Sequence, residues 1–189
     1  MEQLGYSYGV TEFLQLKGTI IADRLEERDW HVAAFFAESV VQIIDIKKTG
    51  FGFSWYTAGS AGIRQEEADS VLFGPIVKFA HKDVSLTLNP FFEKTFGDNQ
   101  IEGIAFDYGW QFNVGVTKGV TLSLAGFGHI DDLGHAPPVS QQEHKIGPLI
   151  AFETELSESR KLALETGVFF GMTEATPDTA FKVKLSYTH

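Results

Sequence analysis

Bulky apolar and small polar residues alternate along this chain with a period of two, in segments that recur about every dozen residues between short polar or glycine-containing breaks. This is the pattern of β-strands with two unlike faces. In the clearest segment, 103–113, Ile104, Phe106, Tyr108, Trp110 and Phe112 fall on one face. Gly103, Ala105, Asp107, Gly109, Gln111 and Asn113 fall on the other. The same rule sets Val84, Leu86, Leu88, Pro90 and Phe92 against Ser85, Thr87, Asn89, Phe91 and Glu93. It sets Leu162, Leu164, Val168, Phe170 and Met172 against Lys161, Ala163, Glu165, Gly167 and Gly171. The last strand has Phe181, Val183, Leu185 and Tyr187 opposite Ala180, Lys182, Lys184 and Ser186. Noisier strands are predicted at 13–22, 29–45, 50–57, 70–80, 119–131 and 143–155.

A soluble sandwich also alternates, but its apolar face is buried and its other face carries charge for water. Here the second face is mainly Gly, Ala, Ser, Thr, Asn and Gln with scattered charges, which suits a crowded, hydrated barrel interior. Trp30, Trp55, Tyr56, Phe96, Trp110 and Tyr187 are read as strand-end aromatics suited to the girdles at membrane surfaces. The breaks carry a second signal. Tight ones at 9–12, 47–50, 80–83, 114–119 and 156–159 take turns with longer, more polar ones at 23–29, 58–69, 96–100, 131–143 and 173–178. Outer-membrane barrels have this alternation of periplasmic turns and external loops.

The fold expected is therefore all-β: one antiparallel, up-and-down transmembrane β-barrel domain of about 10 to 12 strands over residues 1–189. Counting 1–8 as a first strand leads to about eleven, an odd number where bacterial barrels usually have an even one. The reading is that one N-terminal strand of a barrel of about twelve is missing, with about ten as the fallback count if 1–8 is not a strand. The first residues, Met1-Glu2-Gln3-Leu4-Gly5, also lack the basic and apolar regions of a signal peptide.

Composition narrows the classes further. With 17 Phe and 19 Gly among 189 residues, β-structure is favoured over helical bundles. A formal charge of −10 repels phosphate backbones, so no nucleic-acid partner is expected. The lack of cysteine removes thiolate metal sites and thiol nucleophiles. No apolar run approaches the roughly 18 residues of a membrane helix.

The segments "FGPIVKF", "VSLTLNPFFEKTFG", "FDYGWQFNVGVTKGVTLSLAGFG", "IGPLIAFETEL" and "LALETGVFFGMTEATPDTAFKVKLSYTH", with "YGVTEFLQLKGTI" near the start, resemble the outer-membrane proteins grouped with the MetA pathway of phenol degradation. The resemblance implies a barrel in the outer membrane of a Gram-negative bacterium, porin-like, with a transport role toward hydrophobic or aromatic compounds. The partners it implies are outer-membrane lipid, the barrel assembly machinery and a small-molecule solute. The chain departs from that pattern in ending Tyr187-Thr188-His189, not on an aromatic.

Charge on a lipid-facing surface costs roughly 2–4 kcal/mol for a mid-membrane Lys or Arg. Lys17, Glu38, Lys78, Glu93, Asp107, Lys145, Glu153, Glu165, Lys182 and Lys184 are therefore assigned to the lumen. Ile104, Phe106, Tyr108, Trp110, Phe112, Leu162, Leu164, Phe181, Val183 and Leu185 are assigned to lipid. Such a lumen either conducts small solutes or is plugged by its own ion pairs, which would make the barrel a structural element. His129, Asp131, Asp132, His135 and His144 share one region and are residue types that bind Zn²⁺ or Cu²⁺, but their spacing fits no recognised site; no metal and no cofactor is expected. Gly50-Phe51-Gly52 and Gly126-Phe127-Gly128 read as glycines that relieve crowding. No nucleophile motif accompanies Glu93, Asp107, Glu153 or Glu165, so an enzyme is not expected. The rival from another class is a soluble, lipocalin-like ligand-binding barrel with the large apolar residues inside.

Overall fold

The computed structural model describes residues 2–23, 31–62, 68–97, 100–157 and 160–188. They form eleven strands: β1 (Glu2–Gly9), β2 (Leu14–Asp23), β3 (His31–Ile44), β4 (Phe51–Gly62), β5 (Asp69–His81), β6 (Val84–Phe96), β7 (Ala105–Thr117), β8 (Val120–Ile130), β9 (Glu143–Ser157), β10 (Arg160–Gly171) and β11 (Thr179–Thr188). Each pairs antiparallel with the next, so the order across the single sheet is the order along the chain. Among the described residues no ladder joins β1 to β11. These two edge strands run in the same direction, as the first and last of an odd antiparallel series must.

The connections sort by end. At one end lie 10–13, 82–83, 118–119 and the turn holding a short helix α1 (Ile46–Thr49). At the other lie 97–104, 131–142 and 172–178. The expected break at 23–29 falls almost wholly outside the described residues, and of the one expected at 58–69 the middle, 63–67, does. The tight end is built by local chemistry. Asp45 caps α1 by accepting from the Lys47 N–H at 3.0 Å, and Gly50 ends it in the left-handed region at φ 74°. Gly119, at φ 78°, closes the two-residue turn into β8.

Two strand boundaries differ from expectation. β4 continues to Gly62, through residues expected to begin a long loop at 58, because Ala58, Gly59 and Ser60 pair with both β3 and β5. Their small side chains mask an alternation that the ladders enforce. Likewise β7 runs to Thr117, past the turn expected from 114.

Two Gly-Pro pairs mark where ladders are interrupted. The β5–β6 ladder breaks between Phe73↔Phe92 and Val77↔Leu88, around Gly74-Pro75 and Pro90, and resumes in the same register. The β9–β10 ladder breaks between Gly167↔Leu149 and Phe170↔Ile146, around Gly147-Pro148, and likewise resumes in register. Proline has no N–H to donate to the ladder. Beside it, glycine lets the neighbouring backbone approach: a Cβ on Gly74 would strike the Pro90 carbonyl, and one on Gly147 the Val168 carbonyl.

The two faces differ in exposure. The well-buried strand residues other than glycine, Thr19, Ala58, Ser70, Ser123, Ala125, Leu149 and Phe169, belong to the face that holds Glu38, Asp107 and Glu165. The large exposed apolar side chains of the strands, from Leu4 and Tyr6 through Leu124 to Phe181 at 81 %, lie on the opposite face. On the first face, side chains of non-adjacent strands touch. Phe127 of β8 meets Phe169 of β10 edge-on with centroids 5.2 Å apart, and Tyr56 of β4 lies 4.8 Å from Phe91 of β6. The sheet therefore curls toward its polar face, whose core is Ala125, Leu149 and Phe169.

Candidate functional site

The concave face is assembled by register. Lys17 stands opposite Glu38, Glu38 opposite Ala58, and that row continues through Leu72 to Glu93. A second row runs Phe91, Asp107, His129, Glu143, and a third Asn89, Gly109, Phe127, Lys145. Lys78 faces Thr87, while Glu165 faces Lys184 and Ala151, Lys182 faces Gly167, and Glu153 faces Ala163. All ten charged residues singled out in the sequence thus share the concave face. Phe106, Tyr108, Trp110, Phe112, Leu162, Leu164, Phe181, Val183 and Leu185 share the convex one. Ile104 lies one residue before β7, in the loop, where its carbonyl accepts from the Leu133 N–H.

Three groups of polar contacts organise this face. Near β2 and β3, Glu38 accepts from the Lys17 ammonium at 2.8 Å, the Thr19 hydroxyl at 2.6 Å and the Tyr56 hydroxyl at 3.0 Å. In the middle, Gln111 Nε2 donates to Asn113 Oδ1 and, across two intervening strands, to Glu165 Oε2 at 3.2 Å. Asn113 in turn donates to Ser85 and accepts from Ser123, and Lys182 pairs with Glu165 at 2.8 Å while lying 5.8 Å from the Phe127 ring centroid. Toward the loop end, His129 Nδ1 lies 2.8 Å from Asp107 and Nε2 3.1 Å from Asp131. Lys161–Glu153 and Lys118–Glu155 sit at the turn end in water, where an ion pair contributes only about 0–1 kcal/mol.

A cleft of about 450 Å³ opens beside this last group, over Gly109, with Phe91 and Phe127 among its walls and Asn89, Glu143 and Lys145 on its lining. Alternation alone does not disclose it, since two aromatics at polar-face positions read as noise. Yet Phe91 and Phe127 at such positions, around the side-chain-free Gly109, were the available signal.

The five His and Asp residues considered for metal do not converge. His129 is taken up by Asp107 and Asp131 on the concave face. His135 pairs with Asp132 within the loop at 2.9 Å. His144 lies on the convex side, between the Tyr108 hydroxyl at 2.8 Å and Gln142 Oε1 at 3.1 Å. Among the described residues no three His, Asp or Glu side chains come close enough to hold an ion.

The aromatic girdle is also corrected. Trp55 and Trp110 lie in mid-strand on the convex face. Tyr56 is on the concave face with Glu38. Phe96 and Tyr187 are at strand ends, and Trp30 lies outside the described residues. Trp110 and Tyr108 lie flat over Gly126 and Gly128 of β8, and aromatic rings take the space that two missing side chains leave.

Comparison of the chain with protein-family models and with curated proteins finds no match.

Proposed function

We propose that this sheet is the wall of an outer-membrane β-barrel that serves as a conduit for small solutes. The observation that carries the reading is the inversion of its faces: bulky apolar side chains spread over the exposed, convex side of all the strands, and charges and amides gathered on the covered, concave one. Soluble monomers expose contiguous apolar patches of only a few hundred Å². A lipocalin-like barrel places its large apolar residues inward, the reverse of this arrangement. Short connections at one end and longer ones at the other fit the same reading. Closure through antiparallel ladders alone would take a twelfth strand between β1 and β11, which run the same way. The likeness to the phenol-degradation outer-membrane proteins favours hydrophobic or aromatic solutes.

A second reading, a barrel that does not conduct, is favoured by one specific feature. Gln111, Glu165 and Lys182 tie β7, β10 and β11 together across the concavity, where a path would run. Planar-bilayer recording separates the two. A conduit gives discrete conductance steps in the unaltered protein; a wall sealed by these contacts gives none until the Glu165→Ala/Lys182→Ala double variant removes them.

A further inference from the structure

The cleft over Gly109 holds polar groups that the rest of the fold leaves unused. Asn89 Oδ1 is buried and has no hydrogen-bond partner among the described residues. Such an acceptor costs roughly a lost hydrogen bond unless a donor reaches it. Glu143 and Lys145 lie two residues apart on the same face of β9, and among the described residues neither forms an ion pair with the other or with anything else. The remaining lining carboxylate, Asp107, is occupied by His129. The cleft therefore presents one anion, one cation and one acceptor, all without partners among the described residues.

Two aromatic walls of the cleft, Phe91 and Phe127, are held in place. Phe127 is fixed by the edge of Phe169 and by the Lys182 ammonium near its ring. Phe91 packs on Tyr56. Gly109 forms the floor, where an added Cβ would press on the Phe127 ring at 3.2 Å. A rigid apolar slot with a few converging polar groups is the general form of a small-molecule site.

We propose that this cleft binds a small zwitterion of the apolar α-amino-acid class. The Cα atoms of Glu143 and Lys145 are about 7 Å apart along the strand. Their side chains can therefore reach the two ends of one ammonium–carboxylate pair. Lys145 takes the carboxylate. Glu143 and Asn89 Oδ1 share the ammonium, which offers three donors. The apolar side chain lies between Phe91 and Phe127. An amine alone leaves Lys145 unpaired, and an acid alone leaves Asn89 and Glu143 unpaired. This site depends on the concave face alone and stands whether or not the convex face meets lipid.

Isothermal titration of the purified full chain with L-phenylalanine, phenethylamine and 3-phenylpropionate tests this directly. The zwitterion is expected to bind at least about tenfold more tightly than either half-charged analogue, each of which forgoes a charge-assisted contact. Lys145→Met is expected to bring L-phenylalanine down to the level of phenethylamine, and Glu143→Gln to that of phenylpropionate. Equal affinities for the three ligands in the unaltered protein, or no heat from any of them, would overturn the proposal without recourse to a variant.

Discussion

Gly126 and Gly128 sit under Trp110 and Tyr108, and the glycines are what allow those rings to lie flat on the convex face. A side chain at Gly128 would also strike His144 and break its bond to the Tyr108 hydroxyl. Gly128→Val should therefore destabilise the fold by about 1–3 kcal/mol, the usual cost of overpacking. Gly59→Val, with nothing within 4 Å of its Cβ, should change stability by no more than about 0.5 kcal/mol. Denaturant unfolding of both variants checks the pair. In the 131–142 loop, a bond from His135 and then the Gly134 N–H hold the Asp132 carboxyl below the usual carboxylate range. With its folded pKa depressed, the tie is complete above the ordinary value of about 3.9 and is lost as pH falls through the lower folded one. The Gly134 amide shift should accordingly titrate with a midpoint below about 3.9, and a midpoint at or above that value would refute the tie. At this scale the sequence was only partly legible. The glycines were readable as relief of crowding, but which rings they admit depends on cross-strand register, and the separation of His129, His135 and His144 depends on which face and loop each occupies.

Among the elements, the strands were the legible part, because side-chain direction alternates regardless of what a strand pairs with. This is why the ten charged residues could be grouped on one face before any pairing was known. Where side chains are small, as at 58–62, hydrophobicity carries no phase, and the end of β4 was misplaced. The helix α1 was hidden for a different reason: a single turn has no periodicity and declares itself only through its caps, Asp45 and Gly50. The ladder gaps at Gly74-Pro75 and Gly147-Pro148 belong to this scale as well. There an added side chain meets the backbone of the adjoining strand, which cannot rotate away as a ring can. Gly147→Val should therefore cost more than Gly128→Val, about 3–5 kcal/mol, and should lower the yield of folded protein. Equal losses in the two variants would show that the β9–β10 approach is not tight.

For the whole molecule, the decisive fact is that eleven strands present their bulk outward and their charge inward. Transfer of each exposed Leu, Phe or Val of the convex face out of water is favourable by roughly 1.5–3 kcal/mol when burial is complete, so in the proposed membrane setting that face would stabilise insertion many times over. On the same proposal, the concave charges would be tolerable only because they point away from the lipid. What alternation could not supply was closure, since whether β1 and β11 meet depends on curvature and strand number and not on which residues face which way. The cleft over Gly109 was signalled by Phe91 and Phe127 at polar-face positions, but its outline was not legible, being made by residues that the pairing of four strands brings together. The central claim is that the convex face lies in hydrocarbon, and Trp110, mid-strand on that face, reports on it. In a Trp30→Phe/Trp55→Phe variant reconstituted with lipids brominated at mid-chain, Trp110 fluorescence should be strongly quenched, and bromine near the headgroup should quench it less. A chain that stays monodisperse in plain buffer, with Trp110 untouched by either lipid, would contradict the account.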